Sequence, residues 1–236
     1  MHISDGVLPV AVCAAGYATA ALGTWYSLHN INKQEVPQEG IPKASLLAAG
    51  FFVISWIHIP IPPTSVHLLL NGLIGAVLGF YAFPAILIAL FFQAVMFQHG
   101  GLTTLGVNAT IIGGSAMLAH LIFQSAKRMR IAQPEKRVGT AITGFVAGAG
   151  TIGVAALMLF TVLILSLSSA IDPAAERAAI SVAVLAYVPM MFIEGIFTTM
   201  IFLFLLRVKP ALLGFTATRT LAVAPEPIRK NVTEQQ

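Results

Sequence analysis

Charge is what this sequence has least of. Only 9% of its 236 residues are Asp, Glu, Lys or Arg, against about 25% in ordinary soluble domains. With 57% apolar residues and a mean hydropathy of +0.87, a soluble fold of this length could not hide its apolar surface. The composition predicts a multi-span protein of the lipid bilayer. Cysteine is nearly absent too. The single Cys13 excludes an intrachain disulfide and any cysteine-built zinc or iron–sulfur centre. The basic residues form no stripe alternating with aromatics, and the net charge is only +4, so nucleic acid is not an expected partner. No G-x-x-x-x-G-K-[ST] loop is present, which excludes ATP hydrolysis by that route. H-E-x-x-H and a serine nucleophile elbow are also missing, so the chain is not expected to be an enzyme. No duplicated half of the kind common in secondary transporters is visible.

What is present is a series of apolar runs. Seven can be marked, at roughly 7–28, 44–59, 65–82, 84–98, 107–126, 139–168 and 178–207. Lipid forces backbone groups to pair within each segment, so all seven read as helices. The expected architecture is an all-α polytopic bundle over residues 1–207, followed by a polar tail over 208–236 with little fixed structure. Placing the N-terminus outside puts Lys33, Lys43, Lys127, Arg128, Arg130, Lys136, Arg137, Arg207, Lys209, Arg219, Arg229 and Lys230 on one side, and only Arg177 on the other. The positive-inside rule makes the crowded side, and the tail, cytoplasmic. No basic region precedes the first apolar run, so a cleaved signal peptide is not expected.

This topology sorts the histidines. His2, His58, His67 and His99 fall toward the outer side, His29 and His120 toward the cytoplasm. Imidazole is a common ligand for nickel, copper and zinc. His2 has a special position. The α-amine of Met1, the amide nitrogen of His2 and its Nδ1 can bind one ion through a five-membered and a six-membered chelate ring. A fourth imidazole would complete a planar N4 set, which suits Ni(II) or Cu(II) better than Zn(II). The amide must lose its proton and the other ligands must be neutral, so binding should weaken in acid. Ser4, Asp5, Gly6 and Pro9 suggest a terminus folded into place ahead of a helix.

The fourth ligand is open among His58, His67 and His99. His67 is favoured, because TSVHLLLNGLIG reads as a rigid helix with Asn71 one turn deeper on the same face. The stretch FQHGGLTTLGVN, with His99 and Asn108, reads as a loop that could fold over the site. Glu194, in MFIEGIF, is mid-span in the last segment, where an ionisable group is functional or paired. Gln93 and Asn71 are its possible partners. Small residues four apart (Ala14/Ala18, Gly16/Ala20 and Ala44/Ala48) would let helices approach closely.

MHISDG-x-LP at the start, the histidine of SVHLLLNGLIG, and QHGGLTTLG-x-N resemble the CbiM/NikM family. These are the substrate-binding (S) components of energy-coupling-factor transporters for cobalt and nickel. The resemblance covers about residues 1 to 207. It implies a seven-helix membrane domain and four nitrogen ligands: the Met1 amine, the His2 amide, the His2 imidazole and the His67 imidazole. Asp5, Asn71, His99 and Asn108 are the candidates for supporting the ligands or the loop. The resemblance further implies a transmembrane coupling subunit, a pair of ABC ATPases and a small accessory membrane protein as partners. Ni(II) or Co(II) is then transported substrate rather than cofactor, and the setting is the bacterial inner membrane. Two other readings compete. One is a self-sufficient proton-coupled carrier using Glu194. The other is an intramembrane metalloenzyme, which would need an open coordination position and a nearby base.

Overall fold

The computed structural model describes residues 2–61, 64–166 and 173–215. Eight helices are described: α1 (Val10–Ile31), α2 (Ile41–Ile54), α3 (Asn71–Leu78), α4 (Ala82–Phe97), α5 (Leu105–Arg128), α6 (Arg137–Leu165), α7 (Pro173–Leu185) and α8 (Tyr187–Val208). Among the described residues, four stretches are long and apolar enough to cross a membrane. They are Asn71–Phe97, which joins α3 and α4, then Leu105–Arg128, Arg137–Leu165, and Ile180–Val208, which joins α7 and α8.

The second and third apolar segments are not the continuous helices expected. α2 stops at Ile54, and a two-stranded antiparallel hairpin follows, β1 (His58–Ile61) and β2 (Thr64–His67). Its register pairs His58 with His67 and Ile61 with Thr64. The cause lies in the sequence HIPIPPTSVH. Three prolines remove backbone donors and cannot continue a helix, while the β-branched Ile, Thr and Val suit a strand. α3 is accordingly only 8 residues long, about 12 Å at 1.5 Å per residue. It passes into α4 through a 3₁₀ turn at Gly79–Tyr81, where Gly79 takes φ +60°.

α5 is the centre of the molecule, packed by α1, α3, α4 and α6. Its backbone is approached closely because glycines face it. A Cβ on Gly75 of α3 would lie 1.9 Å from the Ala116 carbonyl oxygen, and one on Gly16 of α1 would lie 2.7 Å from the Val107 nitrogen. Of the three small-residue pairs, Gly16 and Ala20 are buried against α5, Ala14 and Ala18 are exposed, and Ala44 and Ala48 are half-buried. α6 pairs with α8, and α2 packs on α4. Leu22, Leu46, Phe92, Leu157 and Phe204 point outward and are exposed. On a soluble protein such a surface would drive association, whereas on a bundle in lipid it meets the solvent it was selected for. After α8 the chain turns at Pro210–Leu213 and stays against α5. Lys127 Nζ donates to the carbonyls of Leu213 at 3.2 Å and Gly214 at 2.8 Å. Residues 216–236 of the expected tail lie outside the described residues.

The α3–α5 contact leaves no room for a methyl group. Gly75→Ala should therefore destabilise the protein by about 1–3 kcal/mol, read as a lower midpoint in detergent thermal unfolding, while Gly50→Ala, which meets open space, should not.

Candidate metal centre

Of His2, His58, His67 and His99, three bring their rings together. His2, His67 and His99 each offer a ring nitrogen, and these atoms all lie within 4.8 Å of one another. His2 Nδ1 is 3.1 Å from His67 Nε2. The ring centroids of His2 and His99 are 4.3 Å apart, and those of His67 and His99 5.5 Å. His58 joins the site region through its backbone, as the strand partner of His67. Met1 lies outside the described residues.

Each histidine is delivered by a different device. His67 is the last residue of β2, not a residue within a helix as its sequence context suggested. The hairpin, with His67 opposite His58, sets its place. His67 Nδ1 lies 3.5 Å from the Leu68 carbonyl oxygen, which leaves Nε2 directed at His2. His99 follows the end of α4, where Gln98 takes a left-handed conformation with φ 53°, a common helix stop. His99 lies beside Trp56, the two rings tilted by 37° with centroids 5.6 Å apart.

His2 is held by a clasp on its neighbour Ile3. Asn108 Oδ1 accepts from the Ile3 N–H at 2.9 Å, and Asn108 Nδ2 donates to the Ile3 carbonyl at 2.9 Å. The side chain thus pairs with the chain start much as a second strand would. Thr104 Oγ1 donates to the same carbonyl at 2.6 Å. Asp5 takes the opposite part. Its carboxylate accepts from the N–H groups of Leu102 at 3.1 Å and Thr103 at 2.8 Å, and from the Thr103 hydroxyl at 2.5 Å. The Thr103 hydroxyl, with the backbone bonds behind it, holds the Asp5 carboxyl below its ordinary value. The loop after α4 therefore does fold over the N-terminus. Two glycines admit it: Gly100 takes φ +84°, and a Cβ on Gly101 would stand 2.1 Å from Asp5 Oδ1.

Burial, followed by nearby positive charge from groups including His67 and His99, holds the His2 imidazole well below its ordinary pKa. The ring is neutral at pH 7, and a neutral imidazole is the form that ligates a metal. Asn71, at the start of α3, is fully buried and donates to Ser115 Oγ at 2.8 Å. Its Oδ1 has no hydrogen-bond partner among the described residues.

Glu194 is fully buried on α8. Its partners are neither Gln93 nor Asn71. Its carboxylate accepts from the backbone N–H groups of Leu69 and Leu70, the latter at 2.8 and 3.1 Å. Gln93 instead donates to Ser55 Oγ. Backbone partners carry no sequence signature, which is why side-chain pairing was the wrong expectation. Thr104 could have been found. It lies four residues before Asn108, on the same helical face.

Comparison with known proteins identifies the family. The family described as cobalt uptake substrate-specific transmembrane region, CbiM, matches residues 2–212. The chain belongs to the CbiM family. It is 38% identical to a metal transport protein of Haemophilus influenzae over 162 residues, 67% of this chain and 76% of that one. It is 37% identical to the fused nickel transport protein NikMN of Rhodobacter capsulatus over 110 residues, 46% of this chain and 31% of that one. A solved truncated transition metal transporter superposes with a TM-score of 0.68 at 25% identity, covering 88% of this chain and 99% of that one. CbiM proteins are membrane components of cobalt and nickel transport rather than an enzyme family, and they work with other subunits.

The clasp makes a local prediction. Asn108→Ala leaves the buried Ile3 N–H without its acceptor, at a cost of about 1–3 kcal/mol. Hydrogen exchange at Ile3 should accelerate, while amides in the middle of α6 keep their protection. Unchanged exchange at Ile3 would mean that the clasp does not hold the terminus.

Proposed function

We propose that this chain is the substrate-binding subunit of an energy-coupling-factor transporter that imports Ni(II) or Co(II), held by the Met1 amine, the His2 amide nitrogen, His2 Nδ1 and His67 Nε2. The observation that carries this reading is the 3.1 Å approach of His2 Nδ1 to His67 Nε2. Nitrogen ligands about 2.0–2.1 Å from a metal and adjacent at a right angle stand about 2.9 Å apart. The two ring nitrogens are thus spaced as neighbouring corners of a square, and Nδ1 is the nitrogen that a chelate through the His2 amide requires. His99 closes one side of the cluster. Asp5, Thr104 and Asn108 hold the loop and terminus together around it.

A planar N4 set leans toward nickel. The cobalt of the family description and the nickel of the R. capsulatus relative keep both ions as cargo. Residues 1–207 would form a membrane domain of about seven spans, with the N-terminus outside, in the inner membrane of a bacterium. The polar tail over 208–236 would lie in the cytoplasm. Energy would come from a pair of ABC ATPases through a transmembrane coupling subunit, with a small accessory membrane protein beside them. Glu194 has its carboxylate engaged by two backbone amides, which argues against its serving as the proton site of a self-sufficient carrier.

Purified protein with a free N-terminus should bind Ni(II) with the visible absorption of a planar nitrogen complex. Acetylating the Met1 amine removes the first donor of the chelate and should abolish that spectrum, whereas equal binding by the blocked and free forms would remove the terminal site. Each ligand must be deprotonated to bind, so Ni(II) affinity should rise with pH from 6 to 8, checked by competition with a chelator of known pH dependence. In cells, deleting the partner ATPases should abolish uptake. Uptake that persists without them would favour the proton-coupled carrier.

A further inference from the structure

We propose that Glu194 is a positioning residue for the metal site, acting from α8 on the turn that carries His67. The inference rests on the reading of His67 as a ligand. His67 ends β2 and α3 begins at Asn71, so Leu68–Leu70 is the short link between them. Within that link Leu70 takes the left-handed conformation, φ 53° and ψ 26°, which a branched side chain does not adopt without cost. The two successive N–H groups of Leu69 and Leu70 converge on the one Glu194 carboxylate. Converging backbone N–H groups make an anion-binding concavity, and here the anion is supplied by the protein. Leu69, Leu70 and Glu194 are all buried, so water does not substitute for it.

The approach of α8 is built in. A Cβ on Gly72 of α3 would stand 2.6 Å from Gly148 Cα, and one on Gly148 of α6 would stand 2.5 Å from the Glu194 carbonyl oxygen. Three backbones therefore meet in one layer, and the layer lies next to the turn. Without this layer α8 could not place a carboxylate on the link. The amides it holds lie two and three residues beyond His67, so the carboxylate sets the direction from which β2 presents Nε2 to His2.

The test is a double-mutant cycle read by Ni(II) titration of the full-length protein with a free N-terminus. Glu194→Ala should weaken Ni(II) binding by about 10–100-fold, the usual effect of removing a group that orients a ligand. It should also shift the visible band in the same direction as His67→Ala. Glu194→Gln keeps an acceptor oxygen and should recover most of the affinity. In the His67→Ala background, Glu194→Ala should add little, because the residue it positions is gone. Wild-type affinity in Glu194→Ala would overturn the proposal. So would a loss that adds fully to that of His67→Ala, or a Glu194→Gln protein as weak as Glu194→Ala. If Glu194→Ala does not fold, Glu194→Asp, which keeps the charge but is one methylene too short, takes its place in the cycle with the same outcomes. Undiminished binding by His67→Ala would instead overturn the ligand assignment beneath the proposal, and the proposal with it.

Discussion

Two hydrogen bonds between the Asn108 side chain and the backbone of Ile3 decide where the chain begins in space. A chain terminus ordinarily frays. Here the amide of Asn108, buried on α5, takes both backbone groups of Ile3, and Thr104 adds a third bond one turn away. α5 is in turn fixed by four helices around it. The position of His2 is therefore set by the most constrained element of the protein rather than by the least. The loop after α4, tied down by Asp5, closes over the terminus and brings His99 with it.

The second half of the site is set from the other direction. His67 stands at the end of a strand, and the link that follows it is held by a carboxylate from α8. Membrane interiors tolerate non-helical backbone only where the protein itself satisfies the polar groups. The two strands pair with each other across the hairpin, and Glu194 answers two amides of the link. The centre thus lies where irregular backbone had to be accommodated, a recurring arrangement in transport proteins because irregular backbone leaves ring nitrogens and amides free to face a ligand.

Much of this was legible in the sequence. The scarcity of charge predicted the membrane, and the positions of His2, His67 and His99 were enough to nominate all three. Asp5 and Asn108 stand out in the sequence, although their partners could not be known, since most of those partners are backbone groups 97 to 105 positions away in the chain. One departure from the expected fold falls on the stretch HIPIPPTSVH. Its flanks are apolar and long enough together to suggest a span, but Pro60, Pro62 and Pro63 withdraw the backbone donors a helix needs. Glu194 was noticed for its depth and then assigned side-chain partners. Only the fold brings Leu69 and Leu70 to it.

The order of the chain bears on when the site can exist. His2 emerges first, His67 and His99 follow, and the carboxylate that holds the His67 link comes at position 194, in the last long helix. During synthesis the early segments enter the membrane well before α8 is made. Until α8 inserts, the link between β2 and α3 has two unanswered amides, and the hairpin has no anchor beneath it. The long sequence separation that slows such contacts in folding thus leaves a half-made chain with its histidines but without the layer that answers the Leu69 and Leu70 amides.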